Sequence, residues 1–187
     1  MKKKKKNKKG VKNLLLKEEN ISLVLNSYDE IYSDFDPRPY NQRALSHDFI
    51  VECKRASADK PEKGIELRFL IPRKKRNLNK ENQIKKRLKD HFKKHFNEKH
   101  KFVNSMKFEG SIWCLIGICL MFIATYILFT YQDASLLTSF LVILLEPGGW
   151  FLFWEGLDKL IIESKKETPD LKFYRKMKDS KIYFLNY

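Results

Sequence analysis

Ser111–Tyr131 reads SIWCLIGICLMFIATYILFTY, and Ala134–Trp154 reads ASLLTSFLVILLEPGGWFLFW. The first run holds no ionisable acid or base. As a helix it would extend about 31 Å, enough for a hydrocarbon core of roughly 30 Å. Trp113 and Tyr131 stand near its two ends, where interfacial aromatics belong. The second run is as long and carries a single acid, Glu146, directly before Pro147-Gly148-Gly149. Only Gln132-Asp133 joins the two runs, so two helices linked this tightly must run antiparallel. The sequence therefore predicts a two-helix transmembrane hairpin.

The charges on either side give its orientation. Residues 109–156 contain no Lys or Arg, whereas residues 72–108 carry a net charge of +11 and residues 157–187 a net +3. Lys99, Lys101 and Lys107 precede the hairpin, and Lys159, Lys165 and Lys166 follow it. By the positive-inside rule that side is cytoplasmic. The expected location is the cell membrane, multi-pass, with both the N- and C-termini cytoplasmic.

The whole chain has 187 residues and a net charge of +15. Such an excess often marks a nucleic-acid binder. Here it flanks the apolar runs, and 30 of the 38 basic residues are Lys rather than the bidentate Arg. That argues against nucleic acid and for anionic lipid headgroups near the basic helix. Residues 1–17 hold nine Lys and no acid, and read as a disordered basic tail. The apolar run that follows, Leu14–Leu16, is too short for a signal peptide.

The cytosolic part divides into residues 18–108 before the hairpin of residues 109–156 and residues 157–187 after it. Ile21–Leu25, Glu66–Ile71 and Ile182–Tyr187 read as strands bounded by polar residues, Pro or Gly. A helix is expected from Leu45 to Ala58, with Ser46 as its N-cap. A long basic helix begins near Asn79, with Ile84, Leu88, Phe92, Phe96 and Val103 as its apolar stripe. After the hairpin, Leu157–Glu163 continues the second membrane helix. Thr168 would cap a further helix, with Pro169 at its first position, ending near Asp179. The fold class expected is α+β with membrane helices: a transmembrane hairpin inserted into a small cytosolic domain of about three strands covered by helices.

Three sets of residues are candidates for function. Gly110, Gly117 and Ala124 recur every seven residues, a stripe of small side chains that lets helices pack closely. Ser135, Ser139, Val142, Glu146 and Gly149 share a spacing of three or four on the second run. These two faces are expected to meet, within one hairpin or between protomers. Glu146, Pro147 and Gly149 form an intramembrane group, because a carboxylate at mid-membrane costs about 2.5–3.5 kcal/mol. Pro147 and the glycines are expected to interrupt the helix there. Finally, Tyr32–Tyr40, YSDFDPRPY, cannot be helical. Asp34, Asp36, Arg38, Tyr40 and Arg43 would form a recognition loop or a self-satisfied ion-pair network.

His91 and His95 are one helical turn apart, but six Lys or Arg crowd them and no third ligand is in view. They read as a solvated helix face. Cys53, Cys114 and Cys119 have no zinc spacing and read as small buried residues. No nucleotide-binding, hydrolase or metal motif occurs, so no cofactor and no enzymatic activity are expected.

The pair SDFDPRPYNQRALSHDF and LEPGGWFLFWEGLDKL resembles segments of small, uncharacterised prokaryotic two-pass membrane proteins. Together they cover about 33 of the 187 residues. The resemblance implies the two-pass arrangement and a joint role for Glu146, Trp154, Glu155 and Asp158; it implies no activity. The leading expectation is a non-enzymatic membrane protein whose cytosolic domain is an interaction or assembly module, in a homo-oligomer or larger membrane assembly. One alternative is an oligomeric pore or proton/cation path lined by Glu146. Another is a membrane-anchored binder of anionic lipid or RNA.

Overall fold

A computed structural model of the chain describes residues 20–130 and 135–187. The basic tail of residues 1–17, and Tyr131 with the Gln132-Asp133 link, lie outside the described residues. The fold is mostly helical, with a three-stranded sheet and two helices long and apolar enough to cross a membrane. Two compact units emerge. Of the described residues, one comprises residues 20–97 and 171–187, and the other residues 98–130 and 135–170.

The first unit is built on strands β1 (Asn20–Val24), β2 (Glu66–Ile71) and β3 (Lys181–Asn186), in the order β1-β2-β3. Both pairings are parallel, with Leu67 opposite Ile21 and Ile182, and Phe69 opposite Leu23 and Phe184. Parallel neighbours need long crossovers. The first contains helix α1 (His47–Ser57). The second contains α2 (Leu78–Thr130), α3 (Leu136–Leu157) and α4 (Ser164–Asp179).

Alternation puts Leu67, Phe69 and Ile71 of the central strand on one face, where all three are fully buried. Phe49 of α1 and Phe184 of β3 meet the Phe69 ring at 5.8 and 5.2 Å between centroids. Ile84, Leu88 and Phe92 line the buried stripe of α2, at the three-and-four spacing of an amphipathic helix. Phe173 and Met177 of α4 complete the core. Lys176 of α4 donates to Ser57 O at 2.9 Å and Lys60 O at 2.6 Å, placing a cation at the C-terminus of α1. Cys53 is fully buried, and burial pushes its thiol up to about 12, so it acts as a small apolar residue.

Two expectations need correction. Glu146-Pro147-Gly148-Gly149 does not interrupt the second apolar helix: α3 runs unbroken from Leu136 to Leu157 with Pro147 inside it. Proline removes only one amide from the ladder, and the backbone bonds of the turns on either side carry the helix through it. Likewise, no helix starts at Thr168. Helix α4 already begins at Ser164 and carries Pro169 in its interior, and Thr168 donates its hydroxyl to Ser164 O at 3.0 Å instead of capping.

Candidate functional site

In the second unit, α2 and α3 pack antiparallel through their smallest residues. Val103, Gly110, Gly117 and Ala124 are the buried positions of α2 there, seven residues apart. Val142, Gly149 and Gly156 are those of α3, at the same interval. A Cβ built on Gly117 would lie 2.6 Å from Gly149 O and 2.6 Å from Phe153 N. One on Gly156 would meet Gly110 O, Cys114 N and Cys114 Sγ, each at 2.6 Å. These obstacles include backbone atoms that cannot swing aside, so the two backbones touch because side chains are missing between them. Cys114 fills the remaining gap and donates its thiol to Phe153 O at 3.5 Å.

Past Gly156 the rhythm changes. Asp158–Glu163 form a π-helical stretch, and the amide of Ser164 donates to Lys159 O, five residues back. The next buried position is Ser164, eight residues after Gly156. The wider turn absorbs one extra residue and keeps Ser164 on the packing stripe. Ion pairs flank this region: Lys159 with Glu109 at 2.5 Å, and Lys99 with Glu167 at 2.6 Å.

The large apolar side chains point the other way. Only 11% of the most apolar window of each helix is buried. A core helix of a soluble protein would be mostly covered. Phe129 and Leu136 are 85% and 89% exposed. Trp150 and Trp154 stack outside, with ring centroids 6.0 Å apart. Cys119 is also exposed, not buried as its surroundings suggest in sequence.

The residues expected to share one face of α3 differ in burial: Val142 and Gly149 are buried against α2, whereas Ser135, Ser139 and Glu146, within about 80° of them around the axis, are exposed. Glu146 is the eleventh of 22 residues in α3. It therefore lies about 15 Å from either helix end. Gly148 has open space where its Cβ would be. Trp154, Glu155 and Asp158 follow Glu146 about 12–18 Å along the axis.

The prolyl loop belongs to the first unit. Its neck is closed by an antiparallel bridge between Tyr32 and Leu45 and by the Ser33 amide donating to Ala44 O at 2.9 Å. Asp36 accepts from Arg38 Nε at 2.9 Å, Arg38 Nη2 at 2.7 Å and the Ala44 amide at 2.7 Å. The Arg38 guanidinium, with the Ala44 and Arg38 amides, holds the Asp36 carboxyl well below the usual carboxylate range. Tyr40 and Arg43 converge on Asp29, at 2.9 and 3.1 Å. Asp34 stays exposed, outside this network. Phe35, between the two aspartates, is 97% exposed.

A buried cluster escapes the sequence reading. Glu81 is 2% exposed and accepts from Arg76 Nε at 2.8 Å, from Arg76 Nη2 at 2.8 Å and from the Tyr28 hydroxyl at 2.9 Å. Burial alone would raise its carboxyl, but the Arg76 fork and the Tyr28 hydroxyl outweigh it and hold the group low. Arg76 also donates to Asn186 Oδ1 at 2.8 Å. The cluster thus ties the start of α2 to the end of β3. Its members lie up to 158 positions apart, which leaves no local pattern to read.

The His91 and His95 rings meet at 4.3 Å, tilted by 54°, and His95 stacks on Tyr174 at 5.4 Å. No group of three metal-capable side chains exists among the described residues. Comparison with family models, with curated proteins and with solved structures returns no match to this chain.

Proposed function

We propose that this chain is a non-enzymatic two-pass membrane protein whose cytosolic α+β domain serves as an interaction and assembly module. Copies would associate through the exposed flank of α3 that carries Glu146. Both chain ends lie in the cytoplasm on this reading, since every Lys and Arg near the hairpin is on one side of it. The hairpin would be inserted into the small domain formed by β1, β2, β3 and their helices, with residues 157–187 returning to it.

One observation carries the reading. The glycines already join α2 to α3, yet Glu146, at the midpoint of α3 and three residues before Gly149, is exposed on the flank of that contact. A carboxyl group facing lipid there costs about 2.5–3.5 kcal/mol, and a polar partner on a second copy removes that cost. Exposed Ser135 and Ser139 on the same helix can supply hydrogen bonds across such a contact.

Light scattering of the full-length protein in mild detergent tests the proposal. Wild type is expected to give a mass of two or more copies, and Glu146→Leu a single copy. A Glu146→Leu variant with wild-type mass overturns it. Glu146→Gln, which keeps a hydrogen-bonding side chain, should remain associated.

A further inference from the structure

Strand β3 is an edge of the sheet, because the order ends β2-β3. The amide of Lys181 donates to Ile65 O at 3.0 Å and that of Tyr187 to Ile71 O at 3.4 Å. Odd-numbered residues of β3 therefore serve the pairing with β2. In a parallel ladder the alternate residues turn both backbone groups outward. Those are Ile182, Phe184 and Asn186, whose amides and carbonyls line the free edge.

A cleft of about 440 Å³ opens beside this edge. Its walls are Lys85, Lys86, Lys89 and Asp90 of α2, with Lys181, Ile182 and Tyr183 of β3. Lys86, Lys89 and Lys181 are exposed and form no ion pair among the described residues, and Lys85 lies over the Phe184 ring at 5.8 Å. One carboxylate thus faces four ammonium groups.

We propose that the β3 edge is a docking site for an acidic, extended segment of a partner protein, which adds as a fourth strand. The backbone of Ile182, Phe184 and Asn186 supplies the ladder. The four lysines supply the selectivity. They repel the same lysine-bordered edge of another copy, which protects the strand from self-pairing, and they attract a strand carrying carboxylates on its flanks. The proposal stands apart from the assembly reading, since it uses no residue of the hairpin.

The test uses full-length protein in detergent and a blocked peptide of about eight residues alternating Glu and Val. A Lys-Val peptide of equal length, inorganic pyrophosphate and a short single-stranded RNA serve as competitors. The acidic peptide is expected to bind and to slow amide exchange at Ile182, Phe184 and Asn186. Lys86→Glu combined with Lys89→Glu should weaken it by about tenfold or more. Both lysines are exposed, and circular dichroism checks that the variant is folded. Lys86→Gln with Lys89→Gln gives a milder second measure of the same loss. Three results overturn the proposal: equal affinity in the charge-reversed variant, binding without slowed exchange at the edge, or binding of pyrophosphate or RNA but not of the acidic peptide.

Discussion

The two units bury opposite kinds of residue. In the sheet unit the interior is large and aromatic: Phe49, Phe69, Phe92, Phe173 and Phe184 meet there, and lysines cover the outside. In the hairpin the interior is glycine, alanine and valine, and the phenylalanines, leucines and tryptophans are on the outside. Water rewards hiding apolar area, so the first unit places bulk inside. The second does the reverse, which is the arrangement that suits lipid, whose tails are as apolar as leucine, so that backbone proximity rather than bulk joins the helices. One chain follows two packing rules, and on the two-pass reading its two parts answer to different solvents.

This contrast can be broken most severely in the sheet unit. Phe69→Ala removes a fully buried ring from the central strand and should cost about 3–5 kcal/mol. Urea unfolding followed by far-ultraviolet circular dichroism measures it. A loss under about 1 kcal/mol would show that the aromatic cluster is not the core.

A finer test pairs two adjacent glycines. Gly149→Ala should cost about 1–3 kcal/mol, because its methyl would stand 2.8 Å from Met121 Cγ and 2.9 Å from Gly117 O. Gly148→Ala meets open space and should be neutral or stabilising by up to about 1 kcal/mol. Thermal melts in detergent compare them. Equal effects would mean that backbone proximity is not what joins the helices.

The smallest effect concerns pH. Burial pushes His91 down to about 4, with His95, Arg87 and Lys94 adding repulsion. Between about pH 6.5 and 4 the unfolded chain binds a proton that the native chain refuses, so stability falls as pH falls through that window. His91 is only half-buried, so the contribution is about 1 kcal/mol after screening. His91→Gln should flatten the melting temperature over that window by about 2–4 °C relative to wild type.

Local pattern made much of this legible. Glu66–Ile71 is read to the residue, since β-rich composition ends at Pro72, and the stripe Ile84, Leu88, Phe92 is plain from its spacing. Parallel pairing was not legible, because nothing local tells β3 which way to lie against β2. Glu146-Pro147-Gly148-Gly149 misleads for a different reason. Proline and paired glycines ordinarily mark a break, and here Gly149 belongs instead to a sevenfold series with Val142 and Gly156. That series is visible in the sequence, and it mirrors Gly110, Gly117 and Ala124. In the prolyl loop, the Asp36–Arg38 fork follows from proximity in sequence. Arg43, by contrast, reaches back to Asp29 across a neck that only the folded chain creates.

The long second crossover has a consequence in time. Ile71 ends β2 and Lys181 begins β3, so the ribosome adds about 110 residues between the two. At roughly 5–20 residues per second, that edge of β2 waits about 5–20 seconds for its neighbour during synthesis. The apolar helices emerge within that interval. The central strand is thus half-paired throughout the period when the nascent chain is most exposed to chaperones and to other polypeptides.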